Sequence, residues 1–186
     1  MPATHILLDT NSYLRLARTI RPLLGQSFGD APYLLSVIPQ LNEELGYSRL
    51  QHEFAWVNDD GLAAERQFFP QLSRANKRGC KQNLAFIRAY VQSDLPGPSE
   101  IDATYVAYAL ELNCLLVTDD QLMQQLARDF DVRLMSTLEL LRLMLDAGHI
   151  NRDLIDGLVN YWRYDNDLPA NFSKDFKRLF GQGPAT

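Results

Sequence analysis

The chain reads LLVTDD at residues 115–120, an apolar run that stops on two carboxylates and leads into a helical pattern. A second run of the same kind, ILLDTN, occupies residues 6–11. Short apolar runs of this type are typical of buried strands. In an open parallel sheet, ligands gather at the carboxyl ends of the strands, so two such strands bring their acids together. Clustered carboxylates repel one another, and a divalent metal ion is the simplest group that neutralises them.

Length and composition favour one globular domain. The 186 residues are enough for a full core, and the net charge of −5 argues against broad, nonspecific coating of nucleic acid. A local basic patch could still bind RNA or DNA. No apolar run approaches the length of a membrane span, and no secretory signal is visible at the N-terminus. We therefore expect a cytoplasmic protein with no membrane partner.

Strand and helix patterns alternate along the chain, which predicts a three-layer α/β/α fold around a central parallel sheet. The patterns predict strands at 5–8, 33–38, 115–118 and 132–135, with a Gly- and Pro-bearing loop at 28–32. The last two strands flank a helix and so form a parallel βαβ unit. Residues 1–148 would form the main domain. Residues 149–186 would form a helical extension packed on it, whose apolar faces either cover the core or mediate dimerisation.

Acidic residues recur at the positions that the predicted fold brings to the carboxyl edge of the sheet. With right-handed crossovers, the ends of the first and third strands and the helices beside them converge on that edge. On the helix that follows Pro39, Glu44 is preferred over Glu43 because it lies three residues from Leu41, on the inward half. The candidate site residues are Asp9, Glu44, Asp102, Asp119 and Asp120.

Each acid also has a simpler structural explanation. Asp9 is a good helix N-cap residue. Ser99 and Asp102 have the spacing of a capping box, which is the favoured reading of Asp102 taken alone. Thr118 and Gln121 have the same spacing, and acids suit a first helical turn. The functional interpretation rests on the joint placement of these residues and not on any one of them.

With these motifs in place, the chain resembles the PIN-domain nucleases over residues 5 to about 140. The resemblance is carried by four segments, at 6–11, 39–45, 99–110 and 116–120, in matching order and spacing. It implies a PIN-like, Rossmann-like fold and a metal-dependent ribonuclease that hydrolyses RNA, single-stranded or structured. Toxin-type members of the family are shorter, and the ribosome-processing branch carries a zinc ribbon that this chain lacks.

The resemblance also implies roles for individual residues. A catalytic tetrad would bind Mg²⁺ or Mn²⁺, with Asp119 as a possible fifth ligand, and polar neighbours would support it. The tetrad is Asp9, Glu44, Asp102 and Asp120, and the supporting residues are Asn11, Thr118 and Ser99. A homodimer, an antitoxin or another protein partner is possible for a member of this family.

A basic stripe offers a surface for the phosphate backbone of RNA. Its members are spaced i, i+3, i+4, i+7 on a predicted helix and are Arg74, Lys77, Arg78 and Lys81. A solvated helix face is the simpler interpretation of the same pattern. Two other functions stay open: a PIN-like scaffold that binds RNA or protein without catalysis, and the toxin of a toxin–antitoxin pair. Intact acids at every site position argue against the scaffold.

Overall fold

The computed structural model describes residues 3–181, apart from the side chains at 48, 49 and 51. In this part of the chain the fold is α/β, with one five-stranded, mostly parallel sheet in the order β2-β3-β1-β4-β5. The strands are β1 (Thr4–Leu8), β2 (Ser27–Phe28), β3 (Tyr33–Ser36), β4 (Leu115–Val117) and β5 (Leu134–Met135).

Helices connect and cover these strands. They are α1 (Thr10–Ala17), α2 (Gln40–Leu45), α3 (Ser48–Glu53), α4 (Asp60–Glu65), α5 (Arg74–Ser93), α6 (Glu100–Leu112), α7 (Gln121–Asp129), α8 (Thr137–Asp146), α9 (Arg152–Tyr164) and α10 (Phe172–Phe180), with a 3₁₀ helix at Ala55–Asn58. None of the helices within residues 3–181 is long and apolar enough to cross a membrane.

The central strand β1 separates two apolar cores. Ile6 and Leu8 point into one core, which is shared with α1, α8, α9 and α10, whereas Leu7 points into the other, which is shared with α6 and α7. This alternation follows from the two-residue period of a strand. Because helices cover both faces, the arrangement is compatible with the three-layer fold expected from the sequence.

The register of the strands fixes the edge on which the acids meet. β1 pairs in parallel with β3 on one side and β4 on the other, and Leu8 lies opposite Val117. The next residues along both strands, Asp9 and Thr118, therefore leave the sheet side by side. The predicted parallel pairing of the last βαβ unit is confirmed, since β4 and β5 are parallel neighbours.

The C-terminal helices are part of the first core. Leu158, Trp162 and Phe176 are almost completely buried among residues of α1 and α8. Their apolar faces therefore cover the core of the chain itself, which is one of the two alternatives that the sequence leaves open.

One predicted loop is wrong in part. Residues 28–32 are not all loop, because Ser27 and Phe28 form a short antiparallel edge strand against Tyr33 and Leu34. Two residues are too few for a periodic pattern, and the neighbouring glycine and proline hide the strand. The sheet is therefore mixed at this edge and parallel elsewhere.

Candidate metal centre

Asp9 is the buried acid of the site. It follows β1 directly, its backbone amide donates to the carbonyl of Val117 at 3.1 Å, and only 3% of its surface is exposed. Its Oδ1 accepts a hydrogen bond from the amide of Ser12 at 2.6 Å, so it also caps α1. Burial raises the pKa of Asp9 to about 6, hydrogen bonds from Thr118 and Ser12 oppose the shift, and the charge of Asp119 adds to it.

The two acids after β4, Asp119 and Asp120, differ in how many of their oxygens accept hydrogen bonds from the protein. Asp119 accepts from Arg15 Nη1 at 2.9 Å through Oδ2 and from the amide of Thr137 at 3.1 Å through Oδ1. Both of its oxygens are therefore engaged by the protein, which ties the end of β4 to α1 and α8. Asp120 is exposed, and its Oδ1 accepts from the amide of Met123 at 2.8 Å at the start of α7.

Thr118 organises the turn that carries these two acids. Its side chain is fully buried, and its hydroxyl accepts from the amide of Asp120 at 3.1 Å. Its carbonyl accepts from Gln124 Nε2 at 3.0 Å. The N-cap residue of α7 is Asp120, so the capping box suggested by Thr118 and Gln121 is not formed.

Asp102 forms the capping box predicted at the start of α6. The amide and the hydroxyl of Ser99 both donate to Oδ2 of Asp102, at 2.7 and 2.8 Å. Among the described residues, these bonds use one carboxylate oxygen and leave Oδ1 without a hydrogen bond. The capping role and a ligand role are therefore compatible in this residue. Burial and the nearby charge of Asp120 raise the pKa of Asp102.

Glu44 is the glutamate that faces the site. The hydroxyl of Thr10 donates a short hydrogen bond to Oε2 of Glu44 and so joins α2 to the first turn of α1. Burial and the charge of Asp102 raise the pKa of Glu44. Glu43 is exposed to solvent, which supports the preference for Glu44.

Electrostatic interactions connect the acids at this edge. Asp119 raises the pKa of Asp9, Asp120 raises that of Asp102, and Asp102 raises that of Glu44. Carboxylates influence one another in this way only at short range or across a region of low dielectric constant. Glu44 bonds Thr10, the residue after Asp9, and the parallel pairing of β1 with β4 brings Asp9 beside the turn that carries Asp119 and Asp120.

Tyr105 is buried close to Asp9 and Glu44. It is 1% exposed, and its pKa is raised well above the usual value by burial and by the charges of Asp9 and Glu44. Its hydroxyl has no hydrogen-bond partner of acceptable geometry among the described residues, although Thr10 lies beside it. A buried phenol without a partner leaves a donor and an acceptor available beneath the carboxylates.

The donors of this edge fit a hard divalent cation. Carboxylate oxygens are the ligands that Mg²⁺ and Mn²⁺ prefer, and raised carboxyl pKa values are what a cation would relieve. Within the described residues, no three His, Cys, Asp or Glu side chains are arranged closely enough to hold a metal ion as they stand.

The basic stripe lies at the opposite edge of the sheet. Near its start, Asn76 Nδ2 donates to Glu111 Oε1 at 3.1 Å, at the C-terminal end of α6. Asp102 is nine residues earlier in the same helix, about 13 Å away at 1.5 Å per residue. Arg74, Lys77, Arg78 and Lys81 are exposed on α5, as expected for either interpretation, but they do not flank the acids.

Three residues beside the acids were not predicted from the sequence. Thr10 and Tyr105 contact or underlie the acids, and Arg15 neutralises Asp119. Thr10 follows Asp9 directly and could have been found as a polar neighbour. Arg15 carries no signal in one sequence, because its partners lie more than 100 residues away. Asn11, predicted as supporting, is exposed at the rim.

Comparison with known proteins found no family model that matches the chain, and no curated protein or solved structure that matches it significantly. The PIN-like fold family and the nuclease activity therefore stay predictions that rest on the resemblance of the sequence.

Proposed function

We propose that this protein is a PIN-like ribonuclease that hydrolyses RNA phosphodiester bonds with Mg²⁺ or Mn²⁺ bound at the carboxyl edge of its sheet. The observation that carries the proposal is the parallel pairing of β1 with β4, which brings Asp9 beside Thr118 and the two acids that follow it, while Thr10 bonds Glu44 next to Asp9. Holding like charges together is costly, and a stable fold retains such an arrangement where a function needs it.

Four acids are assigned to the metal. Asp9 and Asp120, at the ends of the two central strands, would be direct ligands, and Asp102 would bind through its available Oδ1. Glu44, held by Thr10 through Oε2, would complete the shell or orient the attacking water. Asp119 is the least available because both of its oxygens already accept hydrogen bonds.

The ion, when bound, activates a water and offsets the charge that builds on the phosphate oxygens. The chain supplies the geometry. Ser12 and Thr118 hold Asp9, Ser99 holds Asp102, and the amide of Met123 holds Asp120. In the hydrolysis, the water oxygen forms the new bond to phosphorus, and the bond to the leaving sugar oxygen breaks. Glu44 would accept the proton that the water loses, and the leaving sugar oxygen would take up a proton from solvent.

Cleavage of RNA tests this proposal. Fluorescent single-stranded and hairpin RNAs are incubated with Mn²⁺, with Mg²⁺ and with EDTA, using wild type and Asp102→Asn. We expect cleavage that requires the metal and falls at least 100-fold in the variant. Glu111→Gln, at the far end of the same helix, is the matched control and should cut like wild type. Equal cleavage by Asp102→Asn would contradict the assignment.

A further inference from the structure

A cavity of about 500 Å³ lies next to the acidic edge, between α1, the segment from α3 to the 3₁₀ helix, and α9. Its volume is in the range of small-molecule sites. Asn11 and Arg15, on the first turns of α1, form the end nearest the acids. Because Arg15 also donates to Asp119, the cavity and the acidic edge share a residue.

The far end of the cavity is aromatic. Trp56 and Tyr161 face it from opposite elements, and the guanidinium of Arg18 lies between them, 5.9 Å from the Trp56 ring and 4.2 Å from the Tyr161 ring. Phe54 stands edge-on to Trp56, with the ring centroids 6.4 Å apart. Flat aromatic faces with a stacked guanidinium are the surfaces on which unpaired bases pack.

The charges of the cavity favour a neutral occupant. The two arginines among its described lining residues are both paired: Arg15 bonds Asp167 at 2.7 Å, and Arg18 lies 3.7 Å from Asp165. With Glu53, three carboxylates face two guanidinium groups. Among the described side chains of the cavity, a phosphate would meet no unpaired cation, whereas a base is planar and neutral and carries polar edges that can meet Asn11 or Asn166.

We propose that this cavity binds one unpaired base of the RNA, from a nucleotide next to the phosphate that is cleaved. The inference rests on the proposed ribonuclease function. The base would stack on the Trp56 ring beside the guanidinium of Arg18, and Asn11 would lie between the acids and the cavity. This position would set the point of cleavage relative to a single-stranded segment.

The tryptophans allow a direct measurement on the wild-type protein. The sequence has two tryptophans, Trp56 and Trp162, and both line the cavity. Adenosine, a neutral probe without phosphate, is titrated in EDTA with excitation of tryptophan. We expect saturable quenching in wild type and at least a tenfold weaker apparent affinity in Arg18→Ala. Unsaturable quenching identical in both proteins would overturn the proposal.

An oligonucleotide experiment tests the same idea in the RNA itself. Binding of a fluorescein-labelled A6 RNA is measured in EDTA for wild type, Trp56→Ala and Tyr164→Ala. Tyr164 belongs to the same helix as Tyr161 but is 84% exposed and does not line the cavity, so it is the matched control. We expect binding to fall about tenfold in Trp56→Ala and to stay within twofold in Tyr164→Ala.

RNAs with single abasic positions complete the test. At the position that enters the cavity, removal of the base should weaken wild type and leave Trp56→Ala unchanged. If the affinity of wild type relative to Trp56→Ala is the same for every abasic RNA as for the intact RNA, the proposal is overturned. These readouts are taken without metal and are independent of cleavage. If binding falls in Trp56→Ala as expected but wild type cleaves no RNA, the result counts against the ribonuclease alone. If wild type cleaves RNA but binding does not depend on the base, the result counts against this inference alone.

Discussion

The hydroxyl of Thr10 donates to the carboxylate of Glu44, and this one bond joins α2 to the first turn of α1 across 34 residues of sequence. The bond holds Glu44, which is contributed by the short helix α2. Because Glu44 is half-buried beside the charge of Asp102, the bond also stabilises its ionised form.

Removal of this hydroxyl should loosen Glu44 without removing any carboxylate. In Thr10→Val we expect the affinity for Mn²⁺ to fall by about tenfold, the usual effect of losing a partner that orients a ligand. Thr10→Ser keeps the hydroxyl and should stay within twofold of wild type. Isothermal titration with Mn²⁺ measures both, and equal affinities in the two variants would show that Thr10 does not position Glu44.

Asp9 should destabilise the metal-free protein at neutral pH. Its pKa in the folded state, about 6, lies above the usual value of 3.8 for an aspartate side chain. The folded state therefore binds more protons between these pH values, and the free energy of unfolding falls as the pH rises from about 4 to 6. At pH 7.5 this costs about 3 kcal/mol, from roughly two pH units.

The variant Asp9→Asn removes that cost while retaining an oxygen for the amide of Ser12. In EDTA at pH 7.5 we expect it to be more stable than wild type by about 2 kcal/mol, with a much smaller difference at pH 4. Urea denaturation at the two pH values measures this. A variant less stable than wild type at pH 7.5 would mean that Asp9 is not held under electrostatic strain.

Much of the fold can be predicted from this sequence because its signals are local. The strand end before Asp9, the capping box of Ser99 with Asp102, and the one at Ser136 that begins α8 are all present. The parallel pairing of β1 with β4, which brings Asp9 beside Thr118, follows from the alternation of strand and helix patterns. The preference for Glu44 follows from helical spacing.

Other features depend on contacts between distant segments and leave no local pattern. Arg15 meets Asp119 and Asp167, which lie 104 and 152 residues away. The aromatic pair Trp56 and Tyr161 is likewise assembled from two ends of the chain. The spacing of the basic stripe on α5 predicts that its members share one helix face. The distance of that face from the acids depends on how α5 packs against α6.

The ion pair of Arg15 with Asp119 should contribute to stability because both side chains are largely buried, at 13% and 10% exposed. Arg15→Ala removes a partner of Asp119 and of the half-exposed Asp167, and we expect a loss of about 2 kcal/mol that comes mostly from the buried pair. Arg88→Ala breaks an exposed pair with Glu100 and should cost about 0.5 kcal/mol or less. Similar losses in urea denaturation would show that burial does not distinguish the two pairs.

The basic stripe should matter only for long RNA. Lys77→Glu/Lys81→Glu is expected to leave cleavage of a hexamer unchanged, because these side chains lie at the other edge of the sheet. Binding of an RNA long enough to reach α5 should weaken and lose part of its salt dependence. Affinities measured at several salt concentrations for both RNAs test this. A reduced rate on the hexamer would place the stripe at the active edge instead.

The most direct measurement is the binding of Mn²⁺ to wild type and to Asp9→Asn/Asp120→Asn at pH 7.5, followed by the paramagnetic resonance signal of the free ion. It needs no knowledge of the RNA that is cut. We predict saturable binding by wild type, at least 100-fold weaker binding by the double variant, and loss of wild-type binding as the pH falls through about 6, where Asp9 takes up its proton. Equal binding by the two proteins would contradict the central claim that these carboxylates form a metal centre.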